Sequence, residues 1–237
     1  MIDAAATRRW APPAGARPEQ LMILLHGAGG DAGTLAPLAE ALHQAFPQAL
    51  LLALQAAAPF EGAGPGRQWF SLQDLTEANR PERVAAVLPA LRKAVQEAQQ
   101  ASGVGPAATA LVGFSQGAIL ALELSALEDG LAGRVLAFAG RYARLPERAP
   151  QYTTIHLFHG ADDAVIPAAQ ARAAMQRLGE LQGDATIDIA SRVGHALPPV
   201  LVECALQRLR SHIPHRTWAA ALGVVPGLAE RQGRPGD

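Results

Sequence analysis

The stretch LVGFSQGAIL, Leu111 to Leu120, runs an apolar segment into a serine set between two glycines and then returns to apolar residues. Within it, Gly113-Phe114-Ser115-Gln116-Gly117 stands where a run of strand length (residues 108–114) gives way to one of helical length (116–128). A G-x-S-x-G pentad between strand and helix has a steric logic. The chain turns so sharply at the serine that side chains two residues to either side would collide, so both positions lack one. The same turn lifts the hydroxyl above the carboxyl edge of a sheet, where open α/β folds bind their ligands. The competing reading is a serine at a merely well-packed turn, and the surrounding sequence decides between the two.

Outward from this segment the chain alternates short aliphatic runs with helical patterns. Strands are expected at 21–26, 49–55, 108–114, 134–140, 154–160 and 185–191. Five are continuously apolar, as strands buried on both faces of a parallel sheet must be; the last alternates, with Asp188 between Ile187 and Ile189, and belongs nearer an edge. Asp31 is placed to cap a helix beginning at Ala32. Asn79 and Pro81 open another, which Pro89 should kink, and further helices are expected at 116–128, 167–180 and 199–212. This order predicts an α/β protein built on one doubly wound, mostly parallel sheet with helices on both faces. The Gly/Pro-rich residues 61–67 are too short for a linker and read as a loop. The expected organisation is one domain over 1–213 and a C-terminal extension, 214–237, that is partly mobile, since its tail VVPGLAERQGRPGD (224–237) has lost periodicity.

Composition narrows the function classes. The 237 residues are 49% hydrophobic and 17% charged with a formal net charge of −1, so there is material for a large core and no basic footprint for nucleic acid. A single cysteine, Cys204, excludes an intramolecular disulfide and reads as a buried thiol. No basic start followed by an apolar segment marks a secretory signal, and no apolar run reaches the ~18 residues of a membrane span. The expectation is a cytoplasmic protein acting on a small molecule, with no cofactor and no metal.

A serine hydroxyl needs a base to become a nucleophile. Of seven histidines, His43 and His156 fall inside regular elements, His26 and His159 end strands before a glycine and serve loop geometry, and His212 with His215 forms an isolated pair broken by Pro214, short of ligands for a metal. His195 follows the last strand in RVGHALPP and can reach back over the carboxyl edge, where a base must meet Ser115. HGADDAVIP sets Asp162 and Asp163 after the strand 154–159, and either could orient that base. Nucleophile, acid and base then follow in the chain order of α/β-hydrolases. One oxyanion donor is expected from the Gln116 N–H and a second from the glycine-rich HGAGGDAG after residue 25. That loop lacks the spacing of a phosphate cradle, so nucleotide binding is disfavoured.

The blocks LLHGAGG, GRQWFSL, GFSQGAI, HGADDAVIP and GHAL together resemble the phospholipase/carboxylesterase family of small α/β-hydrolases, over about residues 21–213. The resemblance implies the α/β-hydrolase fold, Ser115 as nucleophile, His195 as general base and Asp163, four residues after His159, as the acid. It further implies Ala28 as the second oxyanion donor beside Gln116, and Trp69 and Phe70 as walls of the substrate pocket. Departures are HGAGGD in the first loop and Ala164 after the acid. The expected function is a serine carboxylesterase acting on a carboxylic ester or thioester. Alternatives are an acyl-protein, acyl-CoA or lysophospholipid hydrolase on the same scaffold, or a non-catalytic binding protein, which would need no such set of residues. The apolar C-terminal segment offers a surface for a homodimer.

Overall fold

A computed structural model describes residues 2–221. Its centre is a seven-stranded sheet whose spatial order is β1-β3-β2-β6-β7-β8-β9. The strands are β1 (Ile2–Trp10), β2 (Gln20–Leu25), β3 (Ala49–Ala56), β6 (Thr109–Phe114), β7 (Arg134–Phe138), β8 (Thr154–Gly160) and β9 (Ala185–Ala190). A separate antiparallel pair joins β4 (Ala58–Pro59) to β5 (Arg67–Gln68). Every pair in the main sheet is parallel except β1 on β3. All six expected strands are present, and β9 is an edge with every residue half-buried, as its alternation implied.

The added strand is β1. Its sequence IDAAATRRW neither alternates nor runs apolar, and its register on β3 shifts between Asp3 and Arg8. A strand held at an edge by backbone pairing across a bulge leaves little trace in side-chain pattern.

Among the described residues seven α-helices complete the layers: α1 (Ala36–Ala45), α2 (Arg80–Ala85), α3 (Leu88–Ser102), α4 (Gln116–Leu127), α5 (Ala168–Glu180), α6 (Pro199–Ser211) and α7 (His215–Ala221). Helices α3, α4 and α5 cover one face, packing Leu91, Leu120 and Leu178 against Ile23, Leu111 and Val135. Helices α1 and α6 cover the other, with Leu42 and Leu201 against Leu24, Leu51 and Phe138. Helix α4 is buried nearly all round, which is why it reads apolar without a polar stripe.

Four local expectations are corrected. Asp31 caps a single 3-10 turn, Ala32–Leu35, that runs into α1; its carboxylate accepts from Thr34 N–H at 2.9 Å while the Thr34 hydroxyl closes the reciprocal contact. Pro89 does not kink one helix but opens a second: α2 ends at Ala85, and Pro89 sits in the first turn of α3, where its missing N–H costs no bond. Asn79 does not cap α2 with its side chain, which instead accepts from Thr76 N–H and donates to the Asp74 carbonyl. Cys204, on α6, is half-buried rather than buried, and burial raises its thiol above the usual range. Helix α7 was not anticipated; the rest of the expected extension, 222–237, lies outside the described residues. No helix among the described residues is long and apolar enough to cross a membrane.

In this order the chain moves one way from β2 to β3 and the other way from β2 to β6. The crevice above the carboxyl ends of β2 and β6 is therefore the switch point at which doubly wound sheets bind ligands.

Candidate active site

Ser115 occupies that crevice, in the one-residue turn from β6 to α4. Its backbone has φ 53° and ψ −115°, a region that costs a non-glycine residue about 1–3 kcal/mol. The turn is pinned from both sides: Ser115 N–H donates to the Phe138 carbonyl at 2.9 Å, and Ile119 N–H donates to the Ser115 carbonyl at 3.1 Å. The flanking glycines are there for space. A Cβ on Gly113 would lie 2.3 Å from the Gly117 carbonyl oxygen, and one on Gly117 would lie 2.1 Å from that of Leu25. Strand β6, helix α4 and strand β2 meet too closely for any side chain.

His195 lies in the loop after β9, which the Asp162 N–H ties to the end of β8 through a 2.9 Å bond to the Val193 carbonyl. The His195 ring leans on Phe114, centroids 5.1 Å apart. Its Nε2 is 2.9 Å from Ser115 Oγ and its Nδ1 is 2.8 Å from Asp163 Oδ2. A carboxylate only accepts, so Nδ1 carries the proton and Nε2 is left to accept from the hydroxyl.

The Asp163 side chain is completely buried at the end of β8. Its Oδ1 accepts from the N–H groups of Val165 and Ile166, both at 2.9 Å. Burial pushes its pKa up, but the bonds from His195, Ile166 and Val165 outweigh it, so the carboxyl lies below its usual range and is ionised at neutral pH. His159 Nε2 lies 3.3 Å from Oδ2 while bonding the Ile166 carbonyl at 2.7 Å, so this histidine braces the acid's loop. Asp162, the other carboxylate of HGADD, is exposed, and none of its side-chain atoms bonds His195 among the described residues.

The first loop lies against Ser115: a Cβ on Gly27 would stand 3.2 Å from the serine's own Cβ. Among the described residues neither the Ala28 nor the Gln116 N–H has a hydrogen-bond partner, and both residues line the same cavity as Ser115. Two unspent donors beside a serine hydroxyl can receive a negative oxygen. His26 sets the base of this loop. Ala56 N–H donates to its Nε2 at 3.1 Å and its Nδ1 bonds the Gly27 carbonyl at 2.8 Å, which fixes the neutral Nδ1–H tautomer; burial lowers its pKa accordingly.

A cavity of about 340 Å³ opens from Ser115, Ala28, Gln116 and His195 onto a wall that includes Phe70, Ile119 and Ile166. Phe70 lines it and Trp69 does not. The indole turns inward, 5% exposed, to donate to the His26 carbonyl at 2.8 Å and to pack on the His26 ring. It supports the first loop from behind.

Sequence reasoning valued Gln116 only for its N–H, whereas its side chain bonds twice more. Oε1 accepts from Trp69 N–H at 2.9 Å and Nε2 donates to the Phe70 carbonyl at 2.8 Å. The cavity also has two basic wall residues, Arg80 and Arg141, that no motif marked. One stands at a helix start and the other beyond β7, so only the fold brings them together.

A family description of phospholipase/carboxylesterase matches residues 12–213. The chain is 46% identical over 210 residues to the esterase YpfH of Escherichia coli (strain K12), covering 88% of this chain and 90% of that one. The crystal structure of esterase PE8 aligns with a TM-score of 0.80 at 28% identity, covering 88% of this chain and 99% of that one. A carboxylesterase from Mesorhizobium loti aligns with a TM-score of 0.71 at 23% identity, over 84% and 91% of the two chains, a likeness of fold.

Proposed function

The chain belongs to the phospholipase/carboxylesterase family and is a hydrolase of the esterase type; from that premise we propose that it cleaves carboxylic esters through an acyl-enzyme on Ser115. The observation that carries this reading is the unbroken hydrogen-bond chain from Ser115 through His195 to Asp163 at the mouth of the cavity.

His195 Nε2 takes the hydroxyl proton as Oγ attacks the acyl carbon, and the ionised Asp163 stabilises the imidazolium that forms. The carbonyl oxygen becomes an oxyanion, held by the N–H groups of Ala28 and Gln116. Collapse breaks the bond to the leaving alkoxide, which receives the proton from Nε2 and departs as the alcohol. Water then gives a proton to Nε2 as its oxygen attacks the acyl carbon; collapse of this second intermediate breaks the acyl–Oγ bond, Nε2 returns the proton to Oγ, and the acid leaves with Ser115 free. A thioester follows the same steps with a thiol leaving. We take residues 1–213 as the unit that carries out this chemistry and 214–237 as its extension.

Fluorophosphonate labelling tests the reading. Ser115 is expected to be the labelled residue, and Ser115→Ala to lose both labelling and hydrolysis of p-nitrophenyl esters. Retention of full hydrolysis by Ser115→Ala would refute the reading. Rates over increasing acyl length, beside an acyl-CoA thioester, define the preferred bond.

A further inference from the structure

The cavity beside Ser115 is apolar along Phe70, Leu72 and Ile119 but carries two guanidinium groups in its wall, Arg80 and Arg141. Ester cleavage by the steps above uses neither. Both are largely withdrawn from solvent, with side chains 17% and 16% exposed. They share a single carboxylate, Glu77, whose side chain is 67% exposed and does not line the cavity. Arg141 is partly spent, forking onto both Glu77 oxygens at 3.0 and 2.7 Å and donating from Nε to the Tyr142 carbonyl. Arg80 is spent less: its Nη2 reaches Glu77 at 3.0 Å, while its Nη1 and its buried Nε have no hydrogen-bond partner among the described residues.

Two cations against one outward-facing anion leave the wall with one excess positive charge, in a chain whose formal net charge is −1. A desolvated guanidinium with unspent donors is unfavourable until an acceptor arrives, and its planar fork matches a carboxylate. The apolar residues Phe70, Leu72 and Ile119 that share the cavity with this fork and Ser115 suit a short hydrocarbon chain.

We propose that the cavity selects esters that carry a carboxylate remote from the scissile bond, with Arg80, supported by Arg141, as its receptor. This rests on the esterase reading above and adds a substrate class to it. Glu77 holds the two guanidinium groups in place without filling the cavity.

The test compares kcat/KM for monoethyl adipate, whose carboxylate is on the acyl side, and 6-(butanoyloxy)hexanoate, whose carboxylate is on the leaving side, each against an uncharged ester of matched length. The wild-type enzyme is expected to prefer at least one charged ester by about tenfold or more, the scale of one charge-assisted bond, and to lose much of that preference in high salt. The preferred member identifies the side on which the anion lies. Arg80→Met is expected to collapse the ratio, mainly through KM, and Arg80→Lys to keep part of it. If Arg80→Met fails to fold, the wild-type ratio and its salt dependence decide. A wild-type enzyme that labels with fluorophosphonate and hydrolyses the uncharged esters at least as well as both charged ones would overturn the proposal and leave the esterase reading standing. Absence of both labelling and hydrolysis of every ester would overturn both.

Discussion

Replacing Gln116 with methionine separates two functions that one residue combines. The substitution keeps the backbone N–H beside Ser115 and nearly keeps the volume, but removes both side-chain bonds to the segment carrying Trp69 and Phe70. Gln116 is 3% exposed, so the Trp69 N–H and the Phe70 carbonyl would be left without partners in a buried place. Each unsatisfied group costs about 1–3 kcal/mol, and the sum, reduced by some relaxation of the loop, comes to about 2–4 kcal/mol. For a chain of this size that is about 4–16 °C in Tm. Urea unfolding of wild type and Gln116→Met reads the loss as a lower midpoint at unchanged slope. If the 66–72 segment opens locally instead, hydrogen exchange at the Trp69 amide accelerates while the midpoint holds. In either case KM for an ester substrate should rise, because Phe70 lines the cavity, and kcat should stay within about tenfold because the backbone donor survives. Wild-type stability with wild-type exchange at Trp69 would refute the clamp. A kcat reduced by about 100-fold or more at unchanged stability would show instead that the side chain acts in the chemistry.

Gly117→Ala should cost more than 2 kcal/mol or prevent folding, since its Cβ would meet the Leu25 carbonyl at 2.1 Å; a Tm within 2 °C of wild type would contradict the packing given for the turn. Asp163→Asn should lower kcat by about 10³–10⁴-fold by releasing the tautomer and orientation of His195, whereas exposed Asp162→Asn should leave kcat within about twofold, and the reverse pattern would exchange their roles. Stability should decline as pH falls below about 6.5, ahead of ordinary carboxylate titration. His156 is pushed down to about 3 by burial and by the adjacent Arg134 and His212, and His26 is lowered by burial. A histidine whose folded pKa is depressed contributes stability that is complete above its unfolded value and is lost on the way down to the folded one, at about 1.4 kcal/mol per pH unit per group. A flat unfolding free energy between pH 7 and 5 would refute this.

The parallel strands and the residues at their carboxyl ends were legible in the sequence because each depends on a local rule. A buried strand must be apolar throughout, and a nucleophile turn must have glycine two residues to either side, so β6 and Ser115 announce each other. His195 stood out by following the last strand. Asp163 could not be separated from Asp162 by that logic, since adjacent residues share a loop. The difference between them lies in burial and in two N–H donors from Val165 and Ile166, which only the folded loop supplies. Trp69 misled because an aromatic pair in a loop gives no sign of which ring turns inward. Arg80 and Arg141 were silent for a different reason: they stand 61 positions apart in the chain, and their common neighbour is a space. Edge strand β1 was silent because backbone pairing rather than side-chain burial holds it.

The strain at Ser115 explains why so many of the bonds around the site are backbone bonds made by buried side chains. A turn held at φ 53° relaxes unless its surroundings leave no alternative. Four constraints converge on it: Phe138 and Ile119 hold the turn itself, Gly117 brings α4 hard against β2, and Gln116 ties the start of α4 to the Trp69–Phe70 segment. Trp69 then reaches to the His26 carbonyl, and the His26 ring spans Gly27 and Ala56, so the loop bearing Ala28 is joined to the same frame. The two N–H donors proposed for the oxyanion hole are therefore not fixed independently. A force that relaxes the turn at Ser115 must also move Gln116, and through it the indole that supports Ala28. The Ser115 hydroxyl and the two N–H groups proposed as oxyanion donors are positioned by one connected set of buried polar groups, and this accounts for a tryptophan that shapes the site without lining its cavity.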